Sequence, residues 1–199
     1  MDTNESARCA EFIDAASRID FIEQLIRTSP PPSYYVDPHL EEERLQGDLF
    51  HDVPFVRIKS ENDHTLKLQV AVVLNNTCDL QTGRSDFINF ALAADFSKFK
   101  RAIESRENPE KARGFLDSVK KNVVNEIFFI PPCPVCESGL IVFLNQVTTI
   151  PAALYDTNIS QKKRFASLSQ HGFYLFLIRL TNFFARIEKP SEITRHIEA

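Results

Sequence analysis

Between Gln46 and Leu80 the chain sets two strands against one polar rim. Gln46-Gly47-Asp48-Leu49-Phe50 opens the first with a Gly-Asp pair, and Val70-Ala71-Val72-Val73-Leu74 then runs straight into Asn75-Asn76-Thr77-Cys78-Asp79. A short, continuous apolar run bounded by turn residues reads as a strand buried on both faces. Leu66–Leu74 is therefore expected inside. Its polar tail has to emerge where it can reach water, because unsatisfied polar groups are costly to bury. We expect Asn76, Thr77 and Asp79 to gather near Asp48 at one rim, a place where proteins commonly put sites.

Around this pair of strands the periodicity is mixed. Phe12, Ile13, Ala16, Ile19, Ile22 and Ile26 recur at helical spacing, which predicts an amphipathic helix over about 7–27. Ser29-Pro30-Pro31-Pro32-Ser33 stops it, since proline cannot continue the ladder, and residues 1–33 read as a helix with a Pro-rich linker. Residues 34–187 read as the main domain, and 188–199 as a tail. Within that domain, 48–58 predicts a strand broken at Pro54, and Phe87–Leu92 another. A helical insertion at 95–125 follows, split at Asn108-Pro109, where Asn108 suits a cap and Pro109 a first helical position. Ile127–Ile130 and Leu140–Val147 return to strand, and a last helix runs from Ser167 to about Ile187.

The order of three motifs resembles the PemK/MazF toxins. These are Gly47-Asp48-Leu49, the valine-rich Val70–Leu74, and Val142-Phe143-Leu144-Asn145-Gln146-Val147-Thr148-Thr149-Ile150 before a final helix. The resemblance covers roughly 46–92 and 139–187. It implies a mixed α/β (α+β) chain: an SH3-like small β-barrel of PemK/MazF type, carrying a helical insertion between flanking N- and C-terminal helices. Those toxins cut RNA in toxin–antitoxin pairs, using an Arg-Pro pair before the valine run. Here Gln69 and Val70 stand in its place, and glutamine cannot neutralise the charge that builds on a transferring phosphoryl group. The stretch Asn89-Phe90-Ala91-Leu92-Ala93 lacks the family's hydroxyl, while Asn145 and Thr148 replace its Asp and its basic residue. The resemblance thus implies a non-catalytic or degenerate binding module in a toxin–antitoxin or phage-defence setting. An endoribonuclease with a rebuilt active site is the alternative.

Candidate site residues follow from the rim and from charge. Asp48, Cys78 and Asp79 are the candidate catalytic groups, with His51 as a base for Cys78 in a thiol enzyme, since a thiol needs a base or a positive neighbour to react. The competing reading makes Asn and Asp a strand-ending Asx turn and Cys78 a small buried hydrophobe. Asn75, Asn76, Thr77, Asp79 and Gln69 are candidate binding residues. Lys162, Lys163 and Arg164 form the densest cationic cluster and a candidate phosphate contact. The cations of the insertion are interleaved with acids at helix-pairing distances and read as a solvated face. Cys133-Pro134-Val135-Cys136 has the spacing of half a zinc site, with no second pair downstream, so no metal and no cofactor is expected.

A net charge of −4 over 199 residues argues against a non-specific nucleic-acid binder, which needs a basic surface. RNA held in a local groove stays open as a partner. The N-terminus has no basic or apolar leader segment, and the longest apolar stretch, around Phe173–Ala185, is interrupted by Arg179, Thr181 and Asn182. We expect a cytoplasmic protein without a membrane partner and with reduced thiols. The last helix presents Phe173, Phe176, Leu177, Leu180, Phe184 and Ile187 as a core stripe, and Leu175, Ile178 and Phe183 beyond it. A helix so apolar is expected to be enclosed, or to bind a protein partner or a second copy as a homodimer.

Overall fold

The computed structural model describes residues 35–36, 43–133, 136–156 and 163–185. The chain divides into two units, Met1–Pro32 and Ser33–Ala199, and every described residue belongs to the second. The expected N-terminal helix, the Pro-rich linker, Lys162 and the tail lie outside the described residues.

The architecture is mixed α/β. In chain order come β1 (Tyr35–Val36), β2 (Leu49–Ser60), β3 (Asp63–Val73), a 3₁₀ turn (Thr77–Leu80) and β4 (Phe87–Asp95). Helices α1 (Phe96–Glu104) and α2 (Pro109–Lys120) form the insertion. They are followed by β5 (Ile127–Ile130), β6 (Leu140–Pro151), the one-turn α3 (Ala152–Leu154), β7 (Arg164–Leu168) and α4 (Gln170–Ala185). The strands make an antiparallel sheet in the order β1-β7-β2-β3-β4-β6-β5, six forming its body and two-residue β1 its edge. Among the described residues no pairing joins β1 to β5, so the order is open.

A bulge sets which side chains enter the core. The β2–β3 register shifts between Phe50 and Val53, with Asp52 at φ 54° in the left-handed region. That extra residue resets the alternation, so Val53 and Phe55 follow Phe50 onto the inner face. There they pack with Ala71, Val73, Leu80, Ile88, Phe90, Ile150 and Tyr155. Pro54 does not break β2. It pairs with Leu68, and because β7 reaches only Leu49 and Phe50, β2 has a ladder partner on one side at this point, where proline is tolerated.

The expected strand buried on both faces is buried only at its end. Ala71, Val72 and Val73 are enclosed, whereas Leu66 and Leu68 are exposed. The reason is topological: β4 pairs with β3 only over Val70–Val73. Beyond that seam β2 and β3 continue alone as a two-stranded ribbon to the turn at Glu61-Asn62.

The insertion begins where Asp95 accepts the Lys98 amide at 3.0 Å and restarts where Asn108 accepts that of Lys111 at 2.9 Å, with Pro109 leading α2. Phe96, Leu116 and Val119 bury against Ile127, Phe129 and Ile141. Asn122 closes α2 at φ 54° and exchanges two hydrogen bonds with the Phe129 backbone, covering the outer edge of β5.

The last helix starts three residues later than expected, because Arg164-Phe165-Ala166-Ser167-Leu168 is a strand. Its inward face is also rotated. Gly172, Leu175, Phe176 and Arg179 are buried, with Phe176 against Phe128 at 5.4 Å, while Phe184 of the expected core stripe is 63% exposed. Among the described residues, no helix is long and apolar enough to cross a membrane.

Candidate functional site

Gly47 and Asp48 lead the chain into β2 at the point where β3 ends. Gly47 takes φ +90°, a left-handed conformation that calls for glycine, and a Cβ there would also meet the Leu168 side chain at 2.7 Å. Its amide donates to the Val73 carbonyl, and the Val73 amide donates to the Asp48 carbonyl at 3.0 Å. The Asp48 side chain is thereby pinned beneath β7.

Both of its carboxylate oxygens are engaged inside the protein. Oδ1 accepts the Ser167 hydroxyl at 2.5 Å, and Oδ2 accepts the Leu45 amide at 3.0 Å and Arg164 Nη1 at 3.1 Å. Asp48 is 0% exposed and the Arg164 side chain 9%. Arg164 also donates to the Glu43 carbonyl. Burial pushes the Asp48 carboxyl above its ordinary value, against the Ser167 hydroxyl, the Leu45 amide and the Arg164 guanidinium. Such a carboxylate cannot reach an external substrate. What it does is hold β7 and the segment before β2 together.

Next to it stands a second charged pair. Arg44 donates to the Leu80 carbonyl and to the Asp156 carboxylate, and its guanidinium lies 5.3 Å from the centre of the Tyr155 ring. Tyr155 is buried against Phe50 and Phe90, and burial and the Asp48 charge push its phenol upward.

The polar tail divides in its roles. Thr77 joins the Gly-Asp corner as expected, its hydroxyl accepting the Gln46 amide at 3.1 Å, while Gln46 Nε2 donates to the Leu74 carbonyl. Asn75 extends the β3–β4 pairing, accepting the Asn89 amide at 2.6 Å and donating to the Phe87 carbonyl. The Asn76 carbonyl accepts the Asp79 and Leu80 amides and forms the 3₁₀ turn. Cys78 and Asp79 project from that turn, exposed. The buried-hydrophobe reading of Cys78 is thus corrected: the turn rotates it outward while Leu80 takes the interior place. The expected base, His51, stacks on Phe165 at 4.0 Å.

Two further expectations change. Arg164 does not serve as a surface phosphate contact, because its guanidinium is spent on Asp48 and Glu43. Lys163 is half-buried and its carbonyl accepts the His51 amide at 2.9 Å. Gln69 lies on β3 opposite Val53, away from the Asp48 carboxylate and its donors. Ser167, Leu45, Arg44, Tyr155 and Asp156 were not legible as corner residues. The ion pair spans 116 positions, and no local spacing announces it.

Two further surfaces of the described residues are open. Between α1 and α2 runs a groove of about 430 Å³, floored by Phe96 and Leu116, with Lys100, Arg113 and Lys120 facing Glu104 and Asp117. Lys100 pairs with Glu104 at 3.8 Å, in keeping with a solvated face of mixed sign. The second is the ribbon. Val56 pairs with Leu66, Pro54 with Leu68 and Ile58 with His64, so these six share one face. Val56, Ile58, Leu66 and Leu68 are between 58% and 74% exposed. Arg57, Lys59 and Lys67 stand on the reverse face, by the alternation of the strands.

Among the described residues, no group of three or more His, Cys, Asp and Glu side chains is placed to hold a metal ion. Asn145 Nδ2 donates to the Glu126 carboxylate at 3.1 Å, and Thr148 donates to the Pro54 carbonyl at 3.1 Å. No protein-family model matches this sequence, and no curated protein matches it.

Proposed function

We propose that this chain is a non-catalytic binding module with a PemK/MazF-like, SH3-type barrel. In this reading it works in a bacterial toxin–antitoxin or phage-defence setting and engages a protein partner through the apolar face of the β2–β3 ribbon. The barrel assignment draws support from the Thr148 bond to Pro54, which links β6 to β2 across the intervening strands, as a rolled sheet would. The loss of catalysis draws support from the corner itself. The Asp48 carboxylate and the Arg164 guanidinium neutralise each other out of solvent, and Gln69 supplies no charge.

The observation that carries the binding reading is the row Val56, Ile58, Leu66 and Leu68. Contiguous exposed apolar side chains mark interaction surfaces. A nucleic-acid surface would need cations there, and on this face the only titratable side chain is His64. A protein with an apolar surface of its own is the occupant that fits, because the centres of protein interfaces are apolar and poor in charge.

Two measurements test this with the purified full chain. Incubation with single-stranded RNA should give no cleavage. Sequence-specific cleavage abolished by Asp79→Ala or Gln69→Ala would replace the module with a nuclease. Calorimetric titration with the product of the adjacent gene should show binding that Val56→Lys/Leu66→Lys weakens by about tenfold or more, the equivalent of ~1.4 kcal/mol. Equal affinity in the variant would overturn the ribbon as the contact.

A further inference from the structure

The connection from β5 to β6 closes on itself at two cysteines. The Cys133 amide donates to the Cys136 carbonyl and the Cys136 amide to the Cys133 carbonyl, each at 3.0 Å, forming an antiparallel bridge. Residues that exchange both bonds in this way have Cα atoms about 5.5 Å apart and side chains on the same face. That separation lies inside the roughly 4.4–6.8 Å range that a disulfide spans. Both thiols are free and half-buried.

The same loop is fastened to the start of the insertion. Ser138 donates to Asp95 Oδ2 at 2.5 Å, and the Phe96 amide, first in α1, donates to the Gly139 carbonyl at 3.0 Å. The Cys136 thiol donates to that same carbonyl at 3.2 Å and lies 4.0 Å from Asp95. Gly139 itself is held at φ +80°, where a Cβ would meet the Ile130 carbonyl at 2.6 Å.

We propose that Cys133 and Cys136 form a reversible intramolecular disulfide, and that its closure is felt at the first turn of α1. The oxidant is a small disulfide such as oxidised glutathione. Cys133 loses its proton to solvent, and the thiolate attacks one sulfur of that disulfide. A mixed disulfide forms, and the departing thiolate takes up a proton. Cys136 then loses its own proton and attacks the Cys133 sulfur, expelling the second small thiol. The protein loses two hydrogens and one small disulfide is reduced to two thiols. Cys133 attacks first because burial and the neighbouring Asp95 charge hold the Cys136 thiol protonated. Closure removes the Cys136 donor from the Gly139 carbonyl, which α1 also uses. This inference is independent of the binding reading.

The full chain is equilibrated across ratios of reduced to oxidised glutathione, its remaining thiols are alkylated, and its peptides are mapped by mass. The expected product is a Cys133–Cys136 disulfide, fully reversed by reduced glutathione. It should persist in Cys9→Ser/Cys78→Ser, whereas Cys136→Ser should stop at glutathione on Cys133. Failure to form the ring at any ratio, stable glutathionylation of the natural sequence, or bonds to Cys9 or Cys78 would overturn the proposal. So would protection of both thiols by zinc alone, reversed by a chelator. Amide exchange at Phe96–Lys98 should differ between the two redox states, and identical exchange would overturn the link to α1.

Discussion

Two arginines in this molecule are buried to nearly the same depth and stand in opposite circumstances. Arg164 keeps 9% of its side chain exposed and meets the Asp48 carboxylate. Arg179, 6% exposed on α4, donates to the Val124 carbonyl and has no carboxylate partner among the described residues. Its Nε lacks a hydrogen-bond partner, and burial alone lowers its pKa. The guanidinium stays protonated all the same. The first arginine belongs to a closed electrostatic unit joining segments far apart in sequence. The second is a charge taken out of water with one bond in return. Burial by itself therefore says nothing about what a charged side chain contributes; its partners decide.

The largest effect should come from dismantling the closed unit on one side. Asp48→Ala leaves Arg164 without its carboxylate and should destabilise by about 3–5 kcal/mol in urea unfolding, the usual result of breaking a buried pair. Arg164→Met should cost a similar amount. The double variant should cost clearly less than the two added together, because neither charge then remains alone. Strict additivity would show that the two do not act as a unit, and the contrast with Arg179 would fail.

An effect of opposite sign is expected at the other arginine. Arg179→Met keeps most of the buried stem and removes the charge, so the protein should be unchanged or more stable by about 1–2 kcal/mol. A loss of that size would mean that the guanidinium holds more than the Val124 carbonyl.

The smallest effect sharpens the comparison through two carboxylates. Burial raises Asp48, whereas the Ser138 and then the Ser97 hydroxyl lower Asp95 from 3.8 to about 2. A group with a lowered folded value stabilises fully above its ordinary pKa and loses that contribution as pH falls through the folded one. Between pH 4 and pH 2 the melting temperature of the natural sequence should thus fall further than that of Asp95→Asn. For Asp48 the sign reverses, since the folded state there binds its proton more tightly than the unfolded chain does. Parallel curves for the two proteins would remove Asp95 from the account.

Local chemistry was readable where it was self-contained. Asn108-Pro109 announces the start of α2 because cap and first residue are adjacent, and Val70–Val73 reads as interior because its apolar side chains are consecutive. The exposed half of β3 was misread although its signal was present. Leu66-Lys67-Leu68-Gln69 alternates with period two, the mark of one open face, and the buried run beside it masked that change. Strand β7 was not foreseen because its five residues begin inside the cationic cluster and offer little periodicity, and its last two, Ser167 and Leu168, were read as the start of the helix. The corner itself is made of contacts between Asp48 and residues 116 and 119 positions away, which only the completed sheet brings together.

Because β4 reaches β3 only over Val70–Val73, the ribbon beyond Phe55 and Lys67 can separate without disturbing the core. A two-stranded hairpin on its own is marginal in water. Its tip therefore sits at the low end of the molecule's range of opening free energies, and the seam sits at the high end. A single continuous strand serves two cooperative units. The outer unit can open while the inner one keeps the fold.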